Sequence, residues 1–152
     1  MEENRAKACC GFGHKDVFQN INESLENAVL LAIKNSCEIF YTGAMGDFDN
    51  LFSCAVRKAK KTHPNIKLIC VKPYMTQDIN NNGDFLFSFY DDIIIPPEIT
   101  GIHYKSAITK RNRWIIAHSD IIISYTIRTY GGAYTAVKYA RSLKKDVIEI
   151  EI

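Results

Sequence analysis

The sequence predicts an α/β fold: a three-layer sandwich whose mostly parallel sheet of about six strands carries helices on both faces. Two patterns lead there. Short continuous apolar runs, such as Ile121-Ile122-Ile123, read as strands buried on both sides, as in a parallel sheet covered by helices. They alternate with longer segments whose apolar residues recur at helical spacing, each pair separated by glycine or proline. At 152 residues, 47% hydrophobic and 24% charged, the chain suits one such domain over 1–152.

Each element follows in order. Residues 7–10 form a small-residue strand running into Gly11-Phe12-Gly13. Ile21, Leu25, Ala28, Val29, Ala32 and Ile33 then make one helical stripe, with Asn20 and Glu23 spaced as a capping pair. A strand at 39–42 leads through Gly43 and Gly46 to a second helix with Leu51, Phe52, Ala55, Val56 and Ala59 inward. His63-Pro64 ends that helix, because proline cannot continue it. The third strand spans 66–71 and stops at Pro73. Residues 74–90 read as irregular, with Asn80–Gly83 the clearest turn signal. A short strand at 91–95 precedes Pro96-Pro97, and a helix at about 105–118 buries Ile108, Asn112 and Ile115. A strand at 120–124, a helix opened by Gly131-Gly132 and a strand at 147–150 complete the chain, giving a Rossmann-like order.

Composition excludes disorder, collagen and coiled coil. No apolar run approaches the roughly 18 residues of a membrane span. Residues 1–5 lack the pattern of a secretory signal, so a cytoplasmic protein is expected. Five cysteines without a CxxC pair read as reduced thiols. In a strand, Cys9 and Cys10 point to opposite faces, which argues against a shared metal. No metal and no cofactor are expected. The net charge is +2, and the halves are balanced: 10 basic and 8 acidic residues over 1–76, 9 and 9 over 77–152. Without a basic block, nucleic acid is an unlikely partner by this measure.

Ligands of open parallel sheets bind beyond the carboxyl ends of the strands, where strand order reverses. The loops leaving those ends hold six of the eight glycines: Gly11, Gly13, Gly43, Gly46, Gly131 and Gly132. Glycine permits close backbone approach, and a helix start offers free N–H donors, so a phosphate-bearing ligand is expected. Neither GxGxxG nor a GxxxxGK[ST] loop is present: Gly11-Phe12-Gly13 is followed by Asp16 where a third glycine is needed. His14 and Lys15 supply candidate cations beyond the first strand. Within Lys110–Arg113, Arg111 falls about 60° from Ile108, at the edge of the buried stripe, whereas Arg113 falls about 140° away. Arg111 is therefore the phosphate candidate, suited by its bidentate fork. His63, His103 and His118 read as structural or exposed, and Trp114 as a half-exposed interface residue.

The order of these motifs resembles the SLOG superfamily (the Smf/DprA and LOG group), most closely its YpsA-like branch, over about residues 6–150. The resemblance rests on Gly11-Phe-Gly-His-Lys15, Tyr41–Gly46, Pro64–Val71 leading to Lys72-Pro73-Tyr74, Lys110–Arg113 ahead of His118-Ser-Asp120, and Gly131–Ala140. It implies nucleotide binding. LOG enzymes cleave nucleoside monophosphates at the N-glycosidic bond, with an arginine nine residues before a strand-opening aspartate and a PGGxGTxxE motif. Arg111 and Asp120 match the first part. Tyr130, Tyr134 and Lys138 replace the proline, the last glycine and the glutamate of the second. A cation at Lys138 opposes the oxocarbenium-like state that a carboxylate would stabilise, so catalysis of that kind is not expected.

The expectation is a nucleotide sensor or sequestering module. Gly11, Gly13, Gly131, Gly132 and Ala133 approach the phosphate, Lys15, His14 and Arg111 neutralise it, and Thr135 adds a hydroxyl. Gly43, Gly46 and Asp47 line the sugar or base side, and a homodimer or higher homo-oligomer is expected. An N-glycosidase or deoxyribosyltransferase-like enzyme using Asp47, with Arg111, is one alternative, and a DprA-like single-strand DNA scaffold is another.

Overall fold

A computed structural model of the protein describes residues 6–75 and 77–151. The described chain runs β1 (Lys7–Gly13), α1 (Asn22–Lys34), β2 (Cys37–Thr42), α2 (Asp47–Lys60), β3 (Lys67–Val71), α3 (Gln77–Phe89), β4 (Asp92–Ile94), a 3-10 turn (Pro97–Ile99), α4 (Tyr104–Ala117), β5 (Ile121–Tyr125), α5 (Gly132–Ser142) and β6 (Asp146–Glu149). The six strands form one sheet in the order β4-β3-β2-β1-β5-β6, and every pairing is parallel. The fold is the expected α/β three-layer arrangement.

The alternation of strand side chains builds two cores. Cys9, Phe40, Ile121 and Ile123 join Leu25, Val29, Phe48, Phe52 and Val56 of α1 and α2 on one face. Cys10, Phe12 and Ile122 join Ile115, Ile116, Ala136, Val137 and Ala140 of α4 and α5 on the other. Every residue of β5 is buried, which is why it opens on three consecutive isoleucines, Ile121–Ile123.

Three local expectations need correction. Residues 77–89 are helical, not irregular. Leu86 and Phe89 pack on the first core, and the Arg57 guanidinium lies 4.2 Å from the Phe89 ring centroid. This tertiary anchoring outweighs the poor helix propensity of Gly83 and the asparagines. The Asn20–Glu23 capping pair does not form: helix α1 starts at Asn22, and the Asn20 side chain accepts from the Asn22 amide at 3.1 Å. In α4 the buried stripe is Ala107, Arg111, Ile115 and Ile116, which puts Arg111 inside the packed face and not at its edge. No helix among the described residues is long and apolar enough to cross a membrane.

Candidate functional site

The chain leaves β1 in one direction for β2 to β4, and returns to its other side for β5 and β6. That reversal opens a crevice of about 480 Å³ beyond the carboxyl ends of the central strands. Residues 12–15 at the end of β1, Gly43, Met45, Gly46 and Asp49 after β2, and Ile108, Arg111 and Asn112 of α4 line it. Arg128, Gly131, Gly132 and Ala133 close the side next to β5. Most of the predicted loops meet here.

The glycines divide into two kinds. A Cβ on Gly13 would lie 2.2 Å from Cγ of Phe48, and one on Gly11 would lie 2.7 Å from Phe52. These two make room for the aromatic layer of Phe48, Phe52 and Tyr125, whose rings stack at 6.2 and 6.4 Å. Gly11 is buried beneath that layer and does not line the crevice, correcting its expected phosphate role. A Cβ on Gly43 would meet the Arg111 guanidinium at 2.8 Å. Gly46, with φ +96°, abuts the Lys15 backbone. Around Gly131 and Gly132, by contrast, a Cβ meets nothing within 4 Å. Gly131 has φ +97° and caps α5. Packing does not require Gly132, which leaves its bare backbone to the crevice.

Arg111 is 2% exposed. Its Nη1 donates to the carbonyls of Gly43 (3.2 Å) and Val71 (2.9 Å), tying together the ends of β2 and β3. Nε donates to Asn112 Oδ1, and Nη2 contacts the Met45 sulfur at 3.1 Å. With five N–H groups in all, one remains for a ligand. The expected bidentate phosphate clamp is thereby corrected: Arg111 mainly braces the walls, while its charge faces the crevice. Beside it stands Asp49, which the sequence reading missed. Asp49 Oδ2 accepts from the Met45 amide at 2.8 Å. Burial pushes its carboxyl up to about 6, against the opposing pull of that amide and of the Arg111 charge.

His14 is 4% exposed, and its Nε2 accepts from the amides of Ile127 (2.8 Å) and Arg128 (3.2 Å). Burial first, and the Arg128 charge second, lower its pKa. The ring is therefore neutral and bonded to backbone, so the expected phosphate-neutralising cation at His14 does not exist. Lys15 and Arg128 are the exposed cations of the crevice. The Arg128 guanidinium lies 5.4 Å from the Tyr130 ring centroid, and Tyr130 is exposed.

Asp47 does not line the crevice. Its Oδ2 accepts from the Val17 amide (3.0 Å) and its own amide donates to the Lys15 carbonyl (2.7 Å), so it clips the 14–17 segment to the start of α2. The sugar-side and catalytic roles expected of Asp47 fail on that geometry. Thr135 is exposed, its hydroxyl donates to the Gly131 carbonyl at 2.9 Å, and it is not among the residues lining the crevice. Lys138 is exposed one helical turn further along α5. Trp114 is half-buried, its ring 3.9 Å from His118 and its indole N–H donating to Glu98.

No family model and no curated protein matches the chain in sequence. Solved structures match it in fold, among them two DNA processing proteins. DNA processing protein A (DprA) from Streptococcus pneumoniae aligns at TM-score 0.65 and 15% identity, over 94% of this chain and 50% of that one. The chain shares the DprA fold. DprA from Helicobacter pylori, solved for its single-stranded DNA binding mode, aligns at TM-score 0.65 and 16% identity, over 95% of this chain and 65% of that one. The chain thus spans half of one relative and about two thirds of the other. These neighbours overturn the expectation that nucleic acid is an unlikely partner. The physical reason is local: the even charge split averages over the whole surface, whereas Lys15, Arg111 and Arg128 face a single carboxylate, Asp49, in the crevice.

Proposed function

We propose that the crevice binds single-stranded DNA, holding phosphate-bearing units of the strand between Lys15, Arg128 and the open backbone of Gly131-Gly132. The observation that carries this reading is the excess of cations around a bare helix start, in a fold shared with DprA. Tyr130 beside Arg128 adds the aromatic face on which a base stacks, the usual partner of a cationic groove in single-strand binding. A free nucleotide is the second reading, favoured by Asp49: a carboxylate at the crevice floor suits sugar hydroxyls better than a phosphodiester. Fluorescence anisotropy of a labelled oligothymidylate, competed with nucleoside monophosphates, separates the two. Under the first reading the oligomer binds and monophosphates at equal nucleotide concentration compete poorly. Under the second, the monophosphate displaces it. An N-glycosidase would have to use Asp49 in place of Asp47, and release of free base from nucleoside monophosphates is its test.

The same proposal takes the chain as a single domain of the YpsA-like branch, on the motif order over 6–150, acting in the cytoplasm. All five cysteines are thiols outside any disulfide and four of them are buried, which fits a reducing compartment.

A further inference from the structure

The segment 126–131 carries Arg128 and Tyr130, two of the groups given to the strand above, yet it has no regular secondary structure. Two of its consecutive amides, Ile127 and Arg128, converge on one atom, Nε2 of His14. That imidazole comes from the neighbouring strand end, directly after Gly13 of β1, which pairs with Tyr125 of β5. It is buried, and its ring meets Tyr125 edge-on at 5.7 Å between centroids. Tyr125 is itself fixed by its hydroxyl, which donates to Gln19 Oε1 at 2.7 Å. The acceptor therefore sits on a rigid base, while the donors sit on an irregular segment.

We propose that His14 is a positioning residue: its unprotonated Nε2 holds the 126–131 segment, and so Arg128, against the crevice. The inference rests on the reading of the crevice as a binding site but names no contact between His14 and the ligand. An imidazolium cannot accept a hydrogen bond, so protonation removes both bonds and places a third N–H against two others. Arg128 on the facing segment is the charged group acting on His14, Tyr125 packs on it from β5, and Lys15 follows it in the chain. Burial and the Arg128 charge both favour the neutral ring. The anchor is thus complete above the ordinary histidine pKa, and it is lost as pH falls from about 6.5 through the lower value of the folded state.

The test uses the whole chain and two variants. His14→Phe keeps the ring and removes the acceptor, and His14→Gln keeps an acceptor on a different frame. Amide exchange protection at Ile127 and Arg128 and the affinity for an oligothymidylate are measured in parallel. His14→Phe is expected to lower protection at those two amides about tenfold and affinity about tenfold, the scale of one or two hydrogen bonds. His14→Gln recovers part of both. In the parent chain, protection at the two amides falls as pH drops below about 6.5, a change absent from His14→Phe. This series still decides if the phenylalanine variant does not fold. Unchanged protection in His14→Phe, looser amides with unchanged affinity, or a pH-independent anchor overturns the proposal. Failure of the parent chain to bind the oligomer counts against the DNA reading, and the amide protection still decides the anchor.

Discussion

Gly13 and Gly132 line the same crevice, yet the structure gives them opposite reasons to be glycine, and alanine substitution separates those reasons. A Cβ on Gly13 would sit 2.2 Å from Phe48 Cγ and 2.4 Å from Cδ1. Phe48 cannot retreat, since it is fully buried and stacked between Phe52 and Tyr125. Overpacking of such a site costs about 1–3 kcal/mol, and the upper end applies because the contact is with a ring held on both faces. For a domain of this size each kcal/mol moves Tm by about 2–4 °C, so Gly13→Ala should melt roughly 6–12 °C below the parent chain. A Cβ on Gly132 would meet nothing, and its position at the start of α5 tolerates alanine. Gly132→Ala should gain about 0.4–1 kcal/mol through the unfolded state while weakening oligonucleotide binding. Thermal unfolding followed by circular dichroism, with anisotropy on the same samples, reads both. Gly13→Ala melting within a degree of the parent, or Gly132→Ala destabilised with binding intact, would refute this division of the glycines.

Three further outcomes follow from the site. Arg111→Ala strands the Gly43 and Val71 carbonyls and leaves Asp49 without its neutralising neighbour, so it should cost about 2–4 kcal/mol in chemical denaturation, as losing one partner of a buried charged network does. Asp49→Asn should stabilise the protein above pH 6. The parent carboxyl pays to ionise once pH passes the unfolded value of 3.8, and that cost grows until about pH 6, so the gain in Tm fades as pH falls toward 4. In binding, Asp49→Asn should tighten a phosphodiester strand but weaken a free nucleotide whose hydroxyls the carboxylate accepts, which a paired anisotropy titration reads.

Most of the order of strands and helices was legible because buried strands carry apolar runs, as Ile121–Ile123 of β5 shows, and helices such as α1 repeat their apolar residues at helical spacing. Helix α3 was not, because what holds it is the packing of Leu86 and Phe89 against elements distant in sequence, including Arg57. The site was half legible. Glycine clustering located the crevice, but the reason for Gly13 or Gly43 lies in Phe48 and Arg111, which other elements bring to them. Asp47 and Asp49 show the same limit. Two residues apart on a helix are about 200° apart, so only one of them can face the crevice, and the docking of α2 decides which. A backbone acceptor role for His14 could not be read either, since its partners lie in the irregular segment before Gly131.

The most direct test of the central claim is the salt dependence of oligothymidylate binding by the parent chain and by Arg128→Ala. Arg128 is exposed, so its removal should leave Tm unchanged. The account predicts binding that weakens linearly in log affinity against log salt, with a slope shallower by about 0.7 in the variant, the share of one phosphate on a single strand. No binding at about 50 mM salt, or the same affinity and slope in both proteins, would contradict it.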